Sequence, residues 1–188
     1  MAIVGKPGSG KTTVIQKLLE TDLASKFNYI MVISPSCVEY KDYVYEDQCF
    51  PDFTQQNIVR IINFLNCVQR SCKKPLKILL ILDDVIADIK ALEKNSTVVG
   101  LFFNRRHLVE NSCISIMLTT QKYTMIPARF RSCMTDIRFF TLSQMDIEKI
   151  FIESVIKYSR QEFKQEICKI YDKKFNYIHF DLDLQKFL

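Results

Sequence analysis

Apolar and polar positions run along this chain in two rhythms. Short stretches that are almost wholly apolar recur at residues 2–4 (AIV), 27–34 (FNYIMVIS), 77–82 (KILLIL), 113–119 (CISIMLT) and 136–142 (DIRFFTL), with FNYIHF at 175–180 as the last. Their length and their β-branched and aromatic content predict strands, and the unbroken runs suit strands buried on both faces of a parallel sheet. Between them the spacing changes to that of helices. Val14, Ile15, Leu18 and Leu19 form one face, and Ile58, Ile61, Ile62, Leu65 and Val68 form another within 55–70. Ser143 reads as an N-cap, with Asp146 three residues on and Ile147, Ile150, Phe151 and Val155 as the apolar face. Phe163, Ile167 and Ile170 mark a further helix, and 86–109 reads as one or two. Residues 36–54 have no period and read as a long loop. Strands alternating with helices predict an α/β domain with a mostly parallel sheet.

One segment changes the picture at once. Gly5-Lys6-Pro7-Gly8-Ser9-Gly10-Lys11-Thr12 fills every position of the phosphate-binding pattern G-x-x-x-x-G-K-[ST], between a predicted strand and a predicted helix. Glycines let successive N–H groups turn inward to phosphates, and the helix starting near Lys11 adds the positive end of its dipole. Lys11 is placed to reach the β- and γ-phosphates of a nucleotide such as ATP, and the Thr12 hydroxyl to hold Mg²⁺, with Thr13 beside it.

Bulk properties narrow the rest. The chain has 188 residues, 48% hydrophobic and 25% charged, as expected of one soluble domain over 1–188. No apolar stretch reaches membrane-spanning length, and the start runs straight into the loop instead of forming a signal peptide. Met1 stands only four residues before the loop, so the first strand is short. Either the chain begins there or an N-terminal extension precedes it. Seven cysteines without a C-x-x-C pair, and two histidines, speak for reduced thiols and against a zinc site. A net charge of +5 permits contact with nucleic acid.

The run at 78–82 ends in Asp83-Asp84, the pattern of a Walker B strand. Asp83 would hold Mg²⁺ directly or through water, and Asp84 would orient or deprotonate the attacking water. The plainer reading is a strand end whose acids cap the next helix. The strand at 113–119 leads to Thr120-Gln121, and a polar side chain at the carboxyl end of such a strand lies where α/β sheets bind ligands. Gln121 can donate to a γ-phosphate and accept from water, the work of a nucleotide-state sensor. Arg105 and Arg106, expected on a helix with His107, and Arg129 and Arg131 after Pro127, are candidates for an arginine finger. A solvated basic patch is the plainer reading of the first pair. His107 reads as a structural hydrogen-bonding residue.

The phosphate loop, ILLILDDV, FFNRRHL and ISIMLTTQKYTMIPARFRS, in that order and spacing, resemble the genome-packaging ATPases of poxviruses and related large DNA viruses. These are P-loop motors of the FtsK/HerA superfamily, with similar proteins in virophages and virus-like transposons. The resemblance runs from residue 1 to about 150 and more weakly beyond. It implies a RecA-like P-loop NTPase, with a mostly parallel central sheet flanked by helices and an added strand between the loop strand and the Walker B strand. It implies ATP hydrolysis with Mg²⁺, coupled to translocation of double-stranded DNA into a capsid. The partners it implies are a homo-oligomeric ring and viral capsid proteins, with no membrane, in the host-cell cytoplasm at the virus factory or in the virion. On residues, it implies nucleotide contacts from Gly5, Lys6, Pro7, Gly8, Ser9, Gly10, Lys11, Thr12 and Thr13. It also implies metal contacts from Thr12 and Asp83, water activation by Asp84, sensing by Gln121, and a finger at Arg106 or Arg131. The abrupt start and short C-terminal part depart from the family pattern.

Two other functions fit parts of the pattern. A P-loop kinase of a nucleotide or other small molecule would use Arg129 and Arg131 in a lid. A nucleotide-binding assembly factor without hydrolysis is harder to reconcile with an intact Lys11, Asp83 and Asp84.

Overall fold

A computed structural model describes residues 1–171 and 175–188, grouped in two compact units. One comprises Thr12–Leu118; the other joins Met1–Lys11 to Thr119–Leu188. Strand β1 (Ala2–Val4) opens the chain, and helix α1 (Lys11–Glu20) starts at the lysine of the loop, as the spacing predicts. A short helix α2 (Asp22–Ser25) follows, with Thr21 as its N-cap.

The Thr12–Leu118 unit is built on parallel strands. β2 (Tyr29–Ile33) pairs on one side with β3 (Cys49–Phe50) and on the other with β4 (Lys77–Leu82), which pairs in turn with β5 (Cys113–Thr120). The register sets Ile33 beside Leu82 and Leu82 beside Leu118, so β2 and β4 end together. Helix α3 (Gln55–Ser71) is capped by Thr54, whose hydroxyl accepts from Asn57 N. Its buried face, Ile58, Ile61 and Leu65, meets Ile33, Ile78, Leu80 and Ile114 of the sheet. The expected helical region 86–109 contains two helices, α4 (Ile86–Ala91) and α5 (Ser96–Phe103).

The other unit carries helix α6 (Ala128–Arg131), strand β6 (Asp136–Phe139), helix α7 (Gln144–Ser154), helix α8 (Arg160–Ile170), and strands β7 (Ile178–Asp181) and β8 (Lys186–Phe187). β1 pairs parallel with β6, while β7 and β8 continue antiparallel. Ser143 caps α7 as expected, accepting from Asp146 N at 3.2 Å. Phe163, Phe180 and Phe187 form an aromatic cluster with centroids 4.9–5.8 Å apart. Each such pair adds about 0.5–1.5 kcal/mol beyond the area buried. The sequence pattern predicts Ile170 on the apolar face of α8; its side chain lies outside the described residues.

The α/β architecture with mostly parallel strands is therefore the one expected. Four details differ. The loop expected at 36–54 contains two 3₁₀ turns, Cys37–Tyr40 and Glu46–Gln48, and β3. β3 brings Cys49 beside the first turn, where it forms a disulfide with Cys37, against the expectation of reduced thiols throughout. Cys67, Cys72, Cys113, Cys133 and Cys168 are free thiols. The helix expected through His107 ends at Phe103, and Arg105 and Arg106 lie on the turn that follows. The last predicted strand starts three residues later than expected and is followed by β8. Among the described residues no helix is long and apolar enough to cross a membrane.

Candidate nucleotide site

The phosphate loop takes its shape from its glycines and from an aromatic beneath it. Gly10 has φ +98°, and Gly8 +70°, in the region that a side chain disfavours. Gly5 is needed for space: a Cβ there would come within 2.8 Å of Phe140 Cδ2 and 2.5 Å of Ser9 Oγ. The loop closes with Ser9 N donating to Lys6 O at 3.2 Å. Lys11 folds back over it, its Nζ donating to the carbonyls of Gly5 (2.9 Å) and Lys6 (3.1 Å). The hydroxyl of Ser9 is buried with no hydrogen-bond partner among the described residues. An orphaned polar group costs about 1–3 kcal/mol, which an incoming acceptor such as a phosphate oxygen would relieve.

Gln121 belongs to the same unit as this loop. Gly5 N donates to Thr120 O at 3.0 Å, so Gln121 is one residue beyond the carbonyl that holds the first glycine, and it is exposed.

The Thr12–Leu118 unit holds the acidic residues. Asp83 N donates to Ile33 O at 3.0 Å, extending the ladder one residue past β4 and setting the carboxylate at the strand ends. That carboxylate is buried, with Asp83 only 4% exposed. Its Oδ2 accepts from Thr12 Oγ1 at 3.3 Å and from Tyr40 Oη at 2.7 Å. Hydroxyl and carboxylate oxygens suit Mg²⁺, which takes one or two carboxylates, waters and substrate phosphates in place of a full protein cage. Asp84 has φ +57°, a left-handed conformation uncommon outside glycine and tolerated best by Asp and Asn. It is exposed where Asp83 is buried, so two neighbouring acids have different surroundings.

Tyr40 was not legible as a site residue. It lies in the segment read as a loop, 43 residues from Asp83, and only folding joins them. Burial, reinforced by the charge of Asp83, pushes its phenol well above the usual tyrosine range, so it stays a proton donor.

The arginines have distinct placements. The Arg105 carbonyl accepts from Ile114 N at the start of β5, whereas Asp83 follows the end of β4. Five strand residues, roughly 16 Å, separate these levels. Arg106, exposed on that turn, is thus remote from Asp83 of its own chain. Arg131 is 9% exposed at its side chain and pairs with Glu153 through Nε and Nη2, while Nη1 donates to Ile126 O. Its guanidinium lies 5.3 Å from the Tyr123 ring centroid. Burial would raise the Glu153 carboxyl, but hydrogen bonds from Arg131 and Lys149 outweigh it and hold the group below its ordinary value. His107 is exposed on the turn, its N donating to Asn104 O.

Comparisons with known proteins give the family and the fold. The family model described as "Poxvirus A32 protein" matches residues 1–178. The genome packaging NTPase B204 of Sulfolobus turreted icosahedral virus 2, solved with AMPPCP, matches at TM-score 0.70 and 16% identity, over 100% of this chain and 94% of that one. The same protein with ATP-gammaS gives 0.66 and 14%, over 100% and 93%. The pCW3 conjugation coupling protein TcpA with ATPgS gives 0.61 and 11%, over 97% and 56%. At such identities these likenesses establish the fold. A search of curated proteins returns no match.

Proposed function

The chain belongs to the poxvirus A32 protein family, and from that membership we propose that it is an ATP-hydrolysing motor that moves viral double-stranded DNA into a capsid. The observation that carries the reading is an unbroken phosphate loop whose Thr12 donates to a buried strand-end aspartate. The nucleotide bound in structures of the B204 packaging NTPase supports ATP as the ligand here.

In this reading the N–H groups of Gly8, Ser9 and Gly10 surround the phosphates, and Ser9 Oγ gains an acceptor. Lys6 and Pro7 of the loop, and Thr13 in the first turn of α1, complete the nucleotide contacts. Lys11 exchanges the carbonyls of Gly5 and Lys6 for β- and γ-phosphate oxygens, which carry more charge. Thr12 and Asp83 would hold Mg²⁺, which when bound supplies neutralising charge to the phosphate oxygens. Asp84 accepts a proton from the attacking water as its oxygen bonds to the γ-phosphorus. The bond to the β-phosphate oxygen breaks with its electron pair leaving on ADP. Gln121 contacts the γ-phosphoryl oxygen or the water. Arg106, remote from its own Asp83, would act on a neighbouring subunit's nucleotide, in a homo-oligomeric ring. Arg131 is second, since serving a neighbour would break its pair with Glu153. Capsid proteins are the other expected partners, at the virus factory or in the virion.

The test is phosphate release with linear duplex DNA at several salt concentrations. DNA stimulation that is independent of sequence and falls steeply with salt is expected. Phosphoryl transfer to a small acceptor, with no effect of DNA, would instead identify a kinase.

A further inference from the structure

The Asp83 carboxylate is held from two sides, and only one is explained by the phosphate loop. Thr12 comes from α1 and would itself touch a cation. Tyr40 comes from the 3₁₀ turn Cys37–Tyr40 and has no assigned role, yet its hydroxyl makes the shorter bond to the same oxygen, 2.7 Å against 3.3 Å. We propose that Tyr40 is a positioning residue for the divalent cation, fixing the Asp83 carboxylate so that Asp83 and Thr12 present a preset pair of oxygen ligands. This rests on the ATP-binding reading above.

Three features argue for positioning over simple packing. The ring is 0% exposed, so the phenol has no water to turn to. Two donors on one oxygen, arriving from different elements, fix the plane of the carboxylate, since rotating it breaks both bonds. The turn is also anchored at several points. Cys37 is tied to Cys49, Gln16 of α1 donates to Glu39 O at 2.9 Å, and Tyr40 O accepts from Tyr43 N at 2.9 Å. Gln16 and Thr12 share α1, so the tyrosine turn and the hydroxyl ligand are fastened to one helix. A rigid outer partner of this kind orients a metal ligand, and losing one typically weakens metal affinity 10–100-fold.

The test compares the full chain with Tyr40→Phe, which keeps the ring and removes the oxygen. Mn²⁺ binding is read by electron paramagnetic resonance with a non-hydrolysable ATP analogue present, and analogue binding is read separately in chelator. We expect Mn²⁺ affinity to fall about tenfold or more while metal-free analogue affinity stays within twofold. A merely structural tyrosine would lower the melting temperature and leave Mn²⁺ affinity unchanged, which would overturn the proposal. If the parent chain itself binds neither analogue nor Mn²⁺, the ATP reading fails and this one falls with it. Should Tyr40→Phe fail to fold, 3-fluorotyrosine at position 40 of the otherwise unaltered chain decides. Its fluorine resonance should shift and saturate as Mg²⁺ is titrated into the analogue complex; no shift would overturn the proposal.

Discussion

Arg131 and Glu153 meet through two parallel hydrogen bonds, Nε to Oε2 at 2.7 Å and Nη2 to Oε1 at 2.9 Å. A guanidinium held in this fork, and also bonded to the Ile126 carbonyl, serves α6 and α7. Arg131→Ala should therefore lower the melting temperature. Arg106→Ala should leave stability within about 0.5 kcal/mol, as for an exposed turn residue. Mixing Arg106→Ala with Lys11→Ala chains should restore part of the hydrolysis, because each supplies what the other lacks at a shared interface. A mixture no more active than its parts would remove Arg106 as the finger in trans.

Lys11→Ala should abolish hydrolysis, since positioning and electrostatics supply nearly all of the catalysis in phosphoryl transfer. Asp84→Asn should bind ATP at close to parent affinity and turn it over about 10²-fold more slowly or worse, the scale of a lost general base. Single-turnover phosphate release, with binding measured in parallel, separates the two. Parent-rate turnover by Asp84→Asn would end its role as base.

The Glu153 carboxyl titrates below its ordinary value because Arg131 and Lys149 outweigh its burial. A folded-state value below the unfolded one stabilises the protein above the unfolded pKa, and that contribution fades as pH falls through the folded value. Glu153→Gln should thus be less stable than the parent at pH 7, with the gap closing below about pH 4. Denaturant midpoints measured from pH 7 to pH 3 check the sign; a gap that widens in acid would contradict it.

The Cys37–Cys49 bond closes a segment 12 residues apart in sequence. On the chain-entropy account a loop of that size is worth about 3 kcal/mol. Reduction, or Cys37→Ser, should lower the unfolding midpoint accordingly. Thiol counting on the unfolded, unreduced chain should find five reactive thiols, matching the five free cysteines. Seven would show the pair reduced.

The parts legible in the sequence are those whose cause is local. A loop that needs glycine at φ +98° beside an N-terminal helix turn is written in eight consecutive residues. The apolar run at 78–82 reads as a buried strand, and Ser143 can cap α7 because its partner amide is three residues away. The rest depended on residues distant in sequence. β3 and β8 are two residues each and exist only through the strands they pair with, so no periodicity announces them. Arg105 and Arg106 continue an apparently helical stretch, yet the helix stops at Phe103, and the Arg105 carbonyl instead receives Ile114 N. Tyr40 reads as one aromatic among several in an aperiodic segment. Its meaning comes from a carboxylate 43 residues away, because a buried hydroxyl and a buried charge each lose their water on folding and must find a partner there.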